Sequence, residues 1–104
     1  MKLFLDDLRP CPDDHHLCLT VEEAKAWLRR GIVTHISFDH DLGDSYWGHP
    51  DPPTGYDLAK WIETHADQIP RLTWAVHSAN PVGAQNIRMA MWNATRYWES
   101  AETS

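Results

Sequence analysis

A chain of 104 residues has room for one core and not for two. Its 15 acids against 9 bases give a net charge of −6, which disfavours duplex nucleic acid as a partner, since such binding rests on neutralising phosphates. The apolar runs are only a few residues long, too short to span a membrane, and Met1–Asp6 turns acidic too soon for a signal peptide, so a cytoplasmic protein is expected.

The first strand is predicted at Lys2 to Leu5, a short apolar run that stops at Asp6 and Asp7. Cys11 and Cys18 follow with His15 and His16 between them; Cys-x6-Cys is not a usual close zinc spacing, so two ordinary thiols are expected. Leu17 to Leu19 reads as a short second strand. Thr20 then fits an N-cap, with Glu23 three residues later completing a capping box, and the helix runs to about Arg30 before Gly31 stops it. A third strand, His35 to Phe38, again ends in aspartate, at Asp39.

The stretch from Asp41 to Pro53 is rich in Gly, Pro and Asp and reads as a loop. A second helix is expected from about Gly55 to His65, burying Leu58, Ala59, Trp61 and Ile62. Leu72 to Val76 forms the next strand and gives way to His77-Ser78-Ala79-Asn80-Pro81. From Val82 to about Trp98, Ile87, Met91, Ala94 and Trp98 recur at helical spacing. Strands alternating with helices at this spacing predict a single three-layer α/β domain over residues 1–104, with a short parallel sheet of about four strands and flanking helices.

Ligands of such sheets sit beyond the carboxyl ends of the strands. Asp6-Asp7, Asp39-His40-Asp41 and His77-Ser78-Asn80 all lie at strand ends, so the fold would gather them on one rim. Asp6, Asp7 and Asp39 offer hard oxygen donors suited to magnesium, or manganese in its place; Asp7 or Asp41 could instead cap a turn. Arg9 could fork onto a phosphate or pair with a nearby carboxylate. Ser78 and Asn80 suit an anion at a helix start, or a helix cap. His77 and His40 are candidate general acids or bases, or packed side chains. Tyr46-Trp47 lies in the loop beside this rim, where Trp47 could stack on a base or the pair could anchor the loop.

These segments resemble the receiver domain of two-component response regulators. Phe4-Leu5-Asp6-Asp7, Ile36-Ser37-Phe38-Asp39 and Val76-His77-Ser78 stand where that family has its acid pair, acceptor aspartate and hydroxyl residue. The closer resemblance is to cyclic-phosphate-processing receiver-like domains. It rests on Leu5-Asp6-Asp7-Leu8-Arg9-Pro10, Asp39-His40-Asp41-Leu42-Gly43, Thr54-Gly55-Tyr56-Asp57 and Val76-His77-Ser78-Ala79-Asn80-Pro81, and covers about residues 2 to 90. A receiver lysine after a fifth strand has no counterpart: Lys2, Lys25 and Lys60 all precede Ser78. The resemblance therefore implies a truncated receiver or flavodoxin-like fold that keeps the acid site without the switching apparatus.

With a cyclic phosphate as the substrate that the resemblance implies, the expected function is a metal-dependent phosphoesterase for a nucleotide or RNA-end cyclic phosphodiester. Asp39, His77 and His40 would carry the chemistry, and Arg9, Ser78, Asn80 and Trp47 would bind substrate. Asp39 could be a metal ligand or a nucleophile. The alternatives are a module that sequesters a nucleotide without turnover and a stand-alone phosphoacceptor. A haloacid-dehalogenase-like reading of Asp39-His40-Asp41 fits poorly, because that motif follows the first strand and needs a downstream lysine.

Overall fold

The computed structural model describes residues 1–103. Its elements are β1 (Lys2–Leu5), β2 (His16–Cys18), α1 (Val21–Arg29), β3 (His35–Phe38), a 3-10 turn (Gly43–Tyr46), α2 (Gly55–Thr64), β4 (Thr73–Val76) and α3 (Pro81–Thr103). The expected elements are all present, with β2 one residue earlier. α3 continues five residues past Trp98, whose indole donates to the Ala66 carbonyl at 2.9 Å. Arg71 holds the end of α3 through Glu99 at 3.5 Å and Glu102 at 2.7 Å.

Both shorter helices start where their side chains satisfy free amides. The Thr20 hydroxyl accepts from the Glu23 amide at 3.2 Å. Thr54 and Asp57 cap each other reciprocally at the start of α2, an arrangement that typically contributes about 1 kcal/mol. Leu58, Ala59 and Ile62 of α2 are fully buried. Trp61 departs from the expected pattern and is only partly buried. Its ring stacks on His65 at 4.4 Å and receives Lys25 and Arg29 at 5.8 and 5.3 Å, so it serves as a seam between α1 and α2.

The sheet is parallel throughout, in the order β2-β1-β3-β4. Right-handed crossovers explain where everything else goes. Passing from β2 to β3 and from β3 to β4 moves the same way across the sheet, which puts α1 and α2 on one face. They meet Leu3, Leu5, Ile36 and Phe38 there, and Ile87, Met91 and Ala94 of α3 close the same core. The step from β1 to β2 runs the opposite way, so its connection must cross the other face.

That connection, residues 6–15, contains no helix, so the third layer is irregular chain. It covers the sheet over Phe4: His15 meets the Phe4 ring at 6.1 Å and the His35 ring at 5.8 Å, and Lys2 pairs with Asp14 at 3.1 Å. No fifth strand follows β4 among the described residues, in keeping with the missing lysine.

Candidate metal and phosphate site

Register assembles the site. Leu5 pairs with Phe38, so the residues after them, Asp6 and Asp39, emerge side by side. The ladder continues one residue past the strands, with the Asp39 amide on the Leu5 carbonyl, the Asp6 amide on the Cys18 carbonyl and the His77 amide on the Phe38 carbonyl. The rim is therefore held by backbone rather than by loop packing.

Oxygen atoms of Asp6, Asp7 and Asp39 lie within 4.8 Å of one another. Asp6 and Asp39 are buried. Burial pushes the Asp6 carboxyl up, but the Arg9 and Leu8 amides, at 2.9 and 2.8 Å, together with His77 outweigh it and hold Asp6 below the usual range. Asp39 is shifted the other way, by burial and by the neighbouring Asp6 charge. Asp7 accepts from the Asp44 amide through Oδ2 at 2.9 Å, while its Oδ1 is buried with no partner among the described residues. A solvent-shielded carboxylate oxygen without a donor, beside two more carboxylates, is a donor set that fits a hard divalent cation.

Arg9 reaches into this trio. Its Nη1 donates to the His77 carbonyl at 2.5 Å and lies 3.6 Å from Asp6 and 3.9 Å from Asp39. A cavity of about 360 Å³ opens above, lined by Asp6, Asp7, Arg9, Asp39, Asp41 and Asp44 among others. Five carboxylates thus face a single guanidinium.

His77 stands behind the trio. Its Nε2 is 2.9 Å from Asp6 Oδ2 and its Nδ1 is 2.6 Å from the Ser37 hydroxyl, while Phe4 stacks on the ring at 4.4 Å and 2°. Both ring nitrogens are engaged and the plane is clamped. Ser37 was not among the expected site residues. Alternation along His35-Ile36-Ser37-Phe38 carries its signal: a hydroxyl on the face shared by Phe4, between the apolar Ile36 and Phe38.

His40, Ser78, Asn80 and Trp47 do not line the cavity. The His40 imidazole bonds Asp41 at 2.9 Å and packs where a Gly83 side chain would be. Asn80 caps α3, accepting from the Gly83 amide at 2.9 Å, and the Ser78 hydroxyl accepts from the Asn80 amide at 3.1 Å. In the aromatic pair it is Tyr46 that anchors the loop, bonding the Val21 amide at 2.7 Å and Glu22 at 3.0 Å. Trp47 is 92% exposed. Cys11 bonds the Pro12 and His15 carbonyls, whereas Cys18 is buried in the core.

A parallel sheet in this order, with two acids after β1 and one after β3, defines a receiver-type α/β domain. The family model described as "Cyclic-phosphate processing Receiver domain" matches residues 1–93, and the chain belongs to that family. No curated protein and no solved structure matches the chain. No described helix is long and apolar enough to cross a membrane.

Proposed function

We propose that the protein is a metal-dependent phosphoesterase acting on a small cyclic phosphodiester, such as that of a nucleotide or an RNA end. The observation that carries this reading is the unpaired, buried Asp7 Oδ1 within a carboxylate trio whose cavity also receives Arg9. Asp6, Asp7 and Asp39 would hold magnesium or manganese, which supplies Lewis acidity and counter-charge for a phosphoryl group.

The remaining steps fall to the chain's own groups. Arg9 is partly exposed and can turn from the His77 carbonyl to non-bridging phosphate oxygens. His77 keeps Asp6 oriented through its Nε2 contact. Of the two histidines, His40 keeps a free ring nitrogen among the described residues, its Nδ1 alone being bonded, whereas both His77 nitrogens are taken. To give a proton to the departing oxygen, His40 would have to turn from the start of α3 towards the cavity. Trp47, exposed beside the 3-10 turn, would stack on a base. The Ser78–Asn80 turn, which reaches the cavity at Ala79, would contribute to phosphate binding there rather than through the Asn80 amide, which the Ser78 hydroxyl takes.

Charge supports a diester. With five carboxylates around one arginine, a monoanionic cyclic diester is easier to accept than a dianionic monoester, and the ring-opened dianion is the species expelled. The test is incubation with magnesium or manganese and a panel of cyclic and linear nucleotides, alongside Asp39→Asn. Turnover of cyclic substrates that is lost in the variant supports the reading. Binding of every ligand without turnover overturns it in favour of sequestration, and labelling of Asp39 by acetyl phosphate without hydrolysis would instead mark a phosphoacceptor.

A further inference from the structure

We propose that His16, Cys18 and Glu23 form a second metal site, for zinc or a similarly soft divalent cation, at the corner where β2 meets α1. Its chemistry is unlike that of the carboxylate trio. One nitrogen, one sulfur and one oxygen donor favour zinc, whereas an all-oxygen set favours magnesium or manganese.

Local structure brings the three together. His16 and Cys18 are two residues apart on β2 and so point to one face of the sheet. Glu23, in the first turn of α1, folds back over the end of that strand. Its Oε1 accepts from the Leu19 amide at 3.1 Å, which orients the carboxylate and leaves Oε2 4.0 Å from His16 Nε2. That gap is too long for a hydrogen bond. Two ligands at zinc bond lengths on a tetrahedral ion sit roughly 3.3–3.8 Å apart, so the pair needs only a small closing movement. The ligating atoms of all three residues lie within 4.8 Å of one another.

Two further observations point the same way. The Cys18 thiol is buried and bonds to no acceptor among the described residues, so no hydrogen bond must be broken for it to ligate, although burial and the Glu23 charge push the thiol up to about 12 and the metal itself must displace its proton. The His16 ring rests edge-on against Trp27 at 4.9 Å, which limits its swing. Ligation breaks the Cys18 S–H bond, forms a sulfur–metal bond and passes the proton to solvent. Three protein donors leave a fourth position for a solvent ligand. The metal would tie the edge strand β2 to α1 through Cys18, the residue whose carbonyl accepts the Asp6 amide at 3.2 Å.

The test is a titration of the metal-free protein with cobalt(II), read by the thiolate-to-cobalt charge-transfer absorption and the intensity of the tetrahedral d–d bands. The expected result is one thiolate-bearing cobalt per chain, displaced by zinc, and undiminished in Asp39→Asn. Cys18→Ser abolishes the charge-transfer band. His16→Ala, at an exposed position that leaves the fold intact, and Glu23→Gln each weaken binding at least tenfold. No thiolate band at one equivalent of cobalt overturns the proposal. So does a band that survives Cys18→Ser, which would assign the thiolate to Cys11, or an affinity unchanged in both His16→Ala and Glu23→Gln.

Discussion

Gly55, the first residue of α2, lies against the main-chain carbonyl of Asp39, with 1.9 Å between that oxygen and the position a Cβ would take. The Gly55 amide also donates to the His40 carbonyl at 2.9 Å. α2 therefore docks directly on the backbone that aims a candidate metal ligand, and only a residue without a side chain permits it. Gly83 makes the analogous approach at α3, where a Cβ would fall 2.3 Å from the His40 ring.

Gly55→Ala is expected to destabilise the fold by about 1–3 kcal/mol, because a carbonyl fixed in the rim cannot step aside. Gly83→Ala costs less, since the His40 side chain can rotate away, but it displaces that imidazole. Urea unfolding of the two variants checks the order; equal losses would contradict it.

Asp39→Asn is expected to raise the melting temperature of the metal-free protein and to remove the further rise caused by magnesium or manganese. Burial and the Asp6 charge both disfavour an ionised Asp39 in the folded state, so neutralising it relieves the apo fold. Metal stabilisation follows binding to the folded state alone. Thermal scans with and without metal, on wild type and variant, give the comparison.

Ser37→Ala should leave folding nearly intact, at a cost of about 1 kcal/mol, yet weaken manganese binding several-fold. Without the hydroxyl, His77 loses the contact that fixes its ring and Asp6 loses a fixed partner. His77→Ala, which also empties the space against Phe4, is the larger perturbation. Calorimetric titration of manganese separates a positioning role from a purely structural one, because an unchanged affinity in Ser37→Ala leaves only the latter.

Glu63 is expected to contribute stability that acid removes. Lys60 at 2.7 Å and Asn93 at 2.6 Å hold its carboxyl below the ordinary range, against the smaller upward push of burial. A depressed folded-state value means the contribution is complete above the unfolded value and is lost as pH falls through the folded one. Glu63→Gln should therefore cost up to about 1 kcal/mol at pH 7 and progressively less as the pH falls below the ordinary glutamate range. Denaturation across an acid pH series is the measurement, and a pH-independent difference would contradict the assignment.

Much of the fold and its rim was readable along the chain. The short apolar runs ending at Asp6, Asp39 and His77 are local patterns, and the parallel arrangement follows from their alternation with helices. Thr20 and Thr54 mark helix starts through contacts within one turn. What local pattern could not show is partnership across the fold. Ser37 and His77 are 40 residues apart, and only the β3–β4 pairing joins them. Trp61 has helical spacing for the core, but its place at the α1–α2 seam depends on the neighbouring helix.

Residue type and short-range spacing set the strand and helix segments, the acids at the strand ends and the lack of a lysine after Ser78. Tertiary structure alone decided which of those groups meet. It aligned Leu5 with Phe38 so that Asp6 and Asp39 adjoin, left Asp7 Oδ1 without a donor, and turned His40 and Asn80 towards the start of α3. The reason is physical: hydrogen-bond register and side-chain packing act between residues far apart in the chain, and crossover handedness sends the connections to opposite faces of one sheet.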